Sequence, residues 1–148
     1  ATPEGVLNIA SVNLRVPIYQ GTSERNLHRG AGRIEGTARL DEQGNIGIAA
    51  HRDGFFRVLE KVAVGDLVTI EHFNGVQTYR ITETKIVQPS DVSVLRQTSD
   101  SMVTLVTCYP FYYVGAAPKR SIVHAARIDS PETLGATGPN PSPPDQRR

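Results

Sequence analysis

A mainly β domain is the fold class this sequence predicts. Short runs rich in Val, Ile and Thr recur along the chain, Gly, Asn and Pro break them, and almost no long stretch shows helical spacing. The candidate strands are VLNIA (6–10), NLRVPIY (13–19), EGTARL (35–40), GNIGIAAH (44–51), DLVTIEHF (66–73), VQTYRITETKIV (76–87), MVTLVTC (102–108) and SIVHAARI (121–128). Eight such runs joined mostly by short turns suit a closed barrel or a sandwich.

Between the strands, TSERNLHRG (22–30) and RDGFFRVLEKV (52–62) can each hold a few helical turns. The second sets Phe55, Phe56, Leu59 and Val62 on one face. Asn74-Gly75 in FNGVQTY is the strongest hairpin signal of the chain. DVSVLRQ (91–97), after Pro89, reads as one short turn inside a longer loop. From Ser130 the chain runs SPETLGATGPNPSPPDQRR, Pro-rich and without a core-forming pattern. Residues 1–129 are therefore expected to form the folded domain and 130–148 a disordered tail.

Length and composition narrow the function. A chain of 148 residues suits one core. No apolar run approaches the ~18 residues of a membrane span. Sixteen basic residues stand against 15 acidic ones, for a net charge of +1, with no basic run interleaved with aromatics, so nucleic acid is not expected as a partner. The single cysteine makes no intramolecular disulfide and no Cys-based zinc site. The start, ATPEGV, lacks a basic region followed by an apolar stretch, so any signal or anchor segment is expected to lie outside this chain.

That cysteine, Cys108, ends the apolar run VTLVTC just before Tyr109-Pro110, a strand end where the sheet gives way to a loop. A lone cysteine is often an inert core residue, and a reactive one needs a cation or an imidazole nearby to become a thiolate. Twelve residues on, APKRSIVHA opens another strand. An antiparallel neighbour would bring Lys119 or Arg120 level with Cys108. Of the four histidines, His28 sits in a polar loop, His72 lies mid-strand beside Glu71, and His124 occupies one strand face; all three read as structural or surface residues. His51 differs, because GNIGIAAHRDG ends an apolar strand in a polar cluster.

GNIGIAAHRDGFF, TLVTCYPF and APKRSIVHA, in this order and at these separations, together resemble a sortase, and TLVTCYPF is most similar to class D. The likeness runs from Val6 to about Ile128. It implies an eight-stranded closed β-barrel with one or two short helices, carrying a cysteine transpeptidase. By that resemblance Cys108 is the nucleophile, His51 the general acid/base and Arg120 the cation; Lys119 matches no catalytic position. Thr107 matches a position that contacts the sorting signal. In the loop 88–100, Val92, Val94 and Leu95 are candidates to wall the peptide groove, or simply to pack the loop on the barrel. Tyr112, in YPFYYVGAAP, is a candidate for the leaving-group or acceptor side. Where many related sequences read AGHRD, this chain has Ala49-Ala50-His51-Arg52-Asp53; Asp53 is expected to cap the following helix, ahead of the alternative that it orients Arg120.

The resemblance further implies secreted protein substrates with a C-terminal Leu-Pro-x-Thr type sorting signal and an amine acceptor from the cell wall or another protein. It places the reaction at the extracytoplasmic face of the membrane, with a precursor anchored through an N-terminal segment. No cofactor is implied, and without an acidic cluster of calcium-loop spacing no metal is expected. Two rivals remain: an L,D-transpeptidase-like or other envelope cysteine peptidase, and a catalytically silent peptide-binding barrel. The first lacks its Ser-x-Gly-Cys ahead of Cys108.

Overall fold

The computed structural model describes residues 2–52, 54–109 and 119–129, with the backbone alone for Cys108 and Tyr109. Asp53, Tyr112 and the tail from residue 130 lie outside the described residues. Eight strands form: β1 (Gly5–Ile9), β2 (Leu14–Gln20), β3 (Ala31–Arg33), β4 (Asn45–Ala49), β5 (Leu67–His72), β6 (Gly75–Val87), β7 (Met102–Tyr109) and β8 (Lys119–Arg127). They close into a barrel in the order β1-β2-β3-β4-β7-β8-β6-β5, with β5 returning to β1. Of the barrel and sandwich that the pattern allowed, the barrel is the one that forms.

Inside it, Leu7, Ile9, Val16, Ile18, Ile46, Ile48, Val68, Ile70, Tyr79, Ile81, Val103 and Leu105 are almost wholly buried. Their period of two is what makes each strand one-sided, and each such side chain contributes on the order of 1.5–3 kcal/mol by leaving water. Most pairs are antiparallel, but β2–β3 and β4–β7 run parallel. The Asn74-Gly75 signal marks a real hairpin, closed by the pair His72↔Gly75.

The third strand falls elsewhere than expected. EGTARL (35–40) forms no strand; it turns at Gly36, whose φ of +87° lies in the left-handed region, and the Thr37 hydroxyl donates to Ile34 O at 2.6 Å. The strand is instead Ala31–Arg33, in a glycine-rich stretch that reads as loop. Gly32 is needed there because a Cβ would collide with the Gly21 carbonyl. Arg33 is buried against Glu4, Nε to Oε1 2.9 Å. The stretch 52–62 gives a 3-10 segment, Phe55–Lys61, in place of an α-helical face. Its three-residue period buries Phe56 and Leu59 and leaves Phe55 37% exposed.

On the outer face of β4, β7 and β8 lies a buried polar knot. Asn45 Nδ2 donates to Val94 O and Arg96 O, both at 3.1 Å, and its Oδ1 accepts from Thr104 Oγ1 at 2.7 Å. The Thr104 proton is thereby used, so at 2.9 Å from Thr104 Oγ1 the His124 Nδ1 is the donor. This knot fastens the 88–100 loop to the barrel. Asn45→Ala removes three hydrogen bonds and strands their partners, and should lower the unfolding free energy by roughly 2–4 kcal/mol in urea titration.

His124 is 8% exposed, and burial pushes its pKa below the usual histidine range, with Glu83 and Lys85 acting in opposite, smaller senses. The folded chain therefore binds this proton less readily than the unfolded one. The stabilisation is complete above the unfolded value of about 6.5 and is lost as the pH falls below it toward the folded pKa. Urea midpoints measured from pH 7.5 downward should fall in this window, and His124→Gln should flatten that part of the profile.

Candidate active site

The end of the barrel at which β4 and β7 finish together is built by register. The parallel pair reaches Ala49↔Val106, and Ala50 N still donates to Val106 O at 3.3 Å. Position 51 on one chain segment and position 108 on the other each lie two residues beyond this last pair. On the far side of β7 the antiparallel register sets Cys108 opposite Arg120 and Tyr109 opposite Lys119. Of the two cations the sequence offered, Arg120 is thus the one level with the cysteine. It is half-buried, and its Nη1 donates to Lys119 O at 3.0 Å.

His51 stands just past β4, where its carbonyl accepts from Gly54 N at 3.2 Å and Phe56 N at 3.4 Å, so the turn into the 3-10 segment fixes its backbone. Its ring meets a short helix, α1 (Glu24–Arg29). Ser23 caps α1 by accepting from Asn26 N at 3.2 Å, and the buried Asn26 amide donates to Gln20 O at 2.8 Å and Gly21 O at 3.0 Å. The helix is thereby tied to the end of β2. That docking brings Glu24 Oε1 to 2.9 Å from His51 Nε2, and the His28 ring to 6.3 Å from the His51 ring. Glu24, Leu27, His28, His51, Gly54 and Phe55 line an open pocket here.

Sequence reading did not single out Glu24 and took His28 for a structural or surface residue. Their only local signal is the four-residue spacing that puts both on one helix face; the link to His51 is made by tertiary docking. The three residues can hold a metal ion, since one donor atom of each lies within 4.8 Å of the others. The groove candidates divide by burial. Val92 is 72% exposed, Leu95 is partly exposed, Val94 is buried and seats the loop, and Thr107 is 2% exposed with a hydroxyl that has no partner among the described residues. Leu95 lies over β4: a Cβ on Gly47 would stand 2.9 Å from Leu95 Cδ2.

Comparison with known proteins places this barrel. The Sortase domain model matches residues 7–128, and the chain belongs to the sortase family. It is 38% identical over 125 residues to Sortase D of Bacillus subtilis, covering 84% of this chain and 63% of that protein, so it spans somewhat less than two thirds of this relative. The crystal structure of Streptococcus agalactiae sortase C1 in complex with MTSET is similar, with a TM-score of 0.79 and 33% identity over 85% of this chain and 69% of that one. A Clostridium perfringens Sortase D5 transpeptidase is similar with a TM-score of 0.75 and 30% identity, covering 85% and 79% of the two chains. No helix among the described residues is long and apolar enough to cross a membrane.

The docking of α1 is a testable part of this geometry. Asn26→Ala leaves two carbonyls at the end of β2 without their donor and should cost about 1–3 kcal/mol. Amide hydrogen exchange over residues 24–29 should then accelerate more than exchange in the β7 and β8 amides.

Proposed function

We propose that this chain is the catalytic domain of a class D-like sortase, a cysteine transpeptidase acting on secreted proteins that carry a C-terminal Leu-Pro-x-Thr type sorting signal. The observation that carries the reading is the register at one end of a sortase-family barrel, which pairs Cys108 with Arg120 and closes the β4–β7 ladder at Ala49↔Val106, two residues before His51 and Cys108. A silent peptide-binding barrel has no need of that conjunction.

In this reading the Cys108 thiolate attacks the scissile carbonyl, and the Arg120 guanidinium, which stays protonated, stabilises the oxyanion of the tetrahedral intermediate. His51 gives its proton to the departing amine as the C–N bond breaks, leaving a thioester on Cys108. An incoming amine attacks that thioester, His51 removes its proton, and the cysteine is released. Glu24 accepts the Nε2 proton of His51 at 2.9 Å, which fixes the tautomer and leaves Nδ1 as the nitrogen that exchanges protons.

The peptide lies along the outer face of β4 and β7. Four strand residues, about 13 Å, separate Gly47 beneath Leu95 from the level of His51, the span of roughly four extended peptide residues. Leu95 and Val92 offer their surface to the Leu-Pro part. Val94 acts from behind by holding the loop, and Thr107 by its place before the nucleophile. Tyr112 is proposed for the leaving-group or acceptor side. The site of action is the extracytoplasmic face of the cell envelope, with an anchoring segment preceding this domain in the native precursor and an amine of the cell wall or of another protein as acceptor.

The test is mass spectrometry of a Leu-Pro-x-Thr type peptide incubated with the enzyme, with and without a panel of small amines. Each effective amine should divert product from the free acid to the amide. Cys108→Ala should abolish both products and the acyl-enzyme mass while leaving the thermal midpoint nearly unchanged. Hydrolysis alone at every amine concentration would replace the transpeptidase with a cysteine peptidase on the same fold.

A further inference from the structure

The pocket beside His51 contains a donor that acyl transfer does not use. His28 projects from α1 one helical turn after Glu24, and both face His51 across the gap between α1 and the end of β4. We infer that Glu24, His28 and His51 form a zinc(II) site whose occupation takes His51 out of the reaction and switches the enzyme off; the inhibitory half of this inference rests on the role proposed above for His51.

Geometry and donor chemistry both point to zinc. One donor atom from each residue lies within 4.8 Å of the others, and the His51–Glu24 pair is already at 2.9 Å. Bonds of about 2.0–2.2 Å in a tetrahedral site set the donors about 3.4 Å apart, so the set must contract by at most roughly 1.4 Å at its widest while the His51–Glu24 pair opens by about 0.5 Å. Glu24 is 77% exposed and His51 37% exposed in their side chains, which leaves both free to turn inward. Two imidazoles and one carboxylate form a borderline donor set that suits zinc and similar d-block ions and is poor for calcium or magnesium, which take oxygen ligands. Three protein ligands leave a fourth position for water.

Occupation has a definite chemical consequence. Zinc binds His51 at Nε2, which must first give up the proton it shares with Glu24; by exchange through solvent the neutral ring's single proton moves to Nδ1. With zinc on Nε2 and the proton on Nδ1, the ring has no lone pair with which to take another. It can no longer collect a proton from an incoming amine, and Glu24 no longer orients it.

Zinc chloride is the probe, used on the untagged chain carrying Cys108→Ala so that the thiolate contributes nothing. Isothermal titration should show one zinc per chain with a micromolar dissociation constant. His28→Ala and Glu24→Gln should each weaken it at least tenfold, and cobalt(II) in the same site should give visible bands free of sulfur charge transfer. With Cys108 intact, zinc should stop peptide turnover and a chelator should restore it, while His28→Ala turns over normally without zinc and needs at least tenfold more zinc for half-inhibition. No binding below millimolar zinc, or binding indifferent to both substitutions, overturns the site. Binding with the expected residue dependence but undiminished turnover overturns the switch. The binding arm uses an inactive variant, so a zinc-free enzyme that turns over no peptide would count against the transpeptidase reading while binding still decides the site.

Discussion

The parallel pairing of β4 with β7 is the constraint on which the rest depends. A parallel pair cannot be joined by a tight turn, so a long stretch of chain must leave the end of β4 and return to start β7 at the other end of the barrel. That excursion contains the 3-10 segment, the β5–β6 hairpin and the 88–100 loop. Because both strands then run the same way, their C-terminal ends finish together. Residues 51 and 108, far apart in sequence, each follow by two positions the last pair of the ladder that starts at Asn45↔Met102, Ala49↔Val106. A slip of one residue would turn β7 inside out, placing Thr104 in the apolar core and Val103 on the polar knot, which is why the register is held so firmly.

The same outer face joins structure to function through Asn45. It begins β4, holds the 88–100 loop by two backbone carbonyls, and accepts from Thr104, whose oxygen receives the His124 proton. The wall of the proposed peptide groove and the strands that carry Cys108 and Arg120 are therefore fastened at one buried point. The groove can be held at a fixed distance from the reacting centre without a rigid loop, since its anchor is a barrel residue. His124 adds a pH-sensitive element to this anchor, remote from the proposed chemistry but on the same strand as Arg120.

Opposite in character is the α1 side of the site. Its six residues are held by a serine cap and one buried asparagine, and the two side chains it turns toward His51, Glu24 and His28, are exposed. The barrel fixes where His51 begins, while α1 governs what the ring touches. The carboxylate at 2.9 Å from the imidazole and the second imidazole of the proposed metal site come from the same helical turn, so the proposed catalysis and its proposed control share one short helix.

Sequence alone determined much of this molecule. Period-two alternation in VLNIA, GNIGIAAH, MVTLVTC and SIVHAARI marks one buried face per strand, because side-chain direction is a local property of extended backbone. For the same reason the strand-end positions of His51 and Cys108, and a cation level with Cys108, were legible. Local patterns misled where spacing had to be decided by neighbours. EGTARL has strand-like composition but turns, while the glycines around Ala31 form a strand because only they let two backbones approach closely. Phe55 and Phe56 part company because the segment takes a 3-10 period. The choice of Arg120 over Lys119, the reach of Glu24 and His28 to His51, and the burial of Asn45, Thr104 and His124 in one knot were settled only by tertiary structure. Each is a relation between segments distant in the chain, fixed by barrel closure and register, and no local preference encodes it.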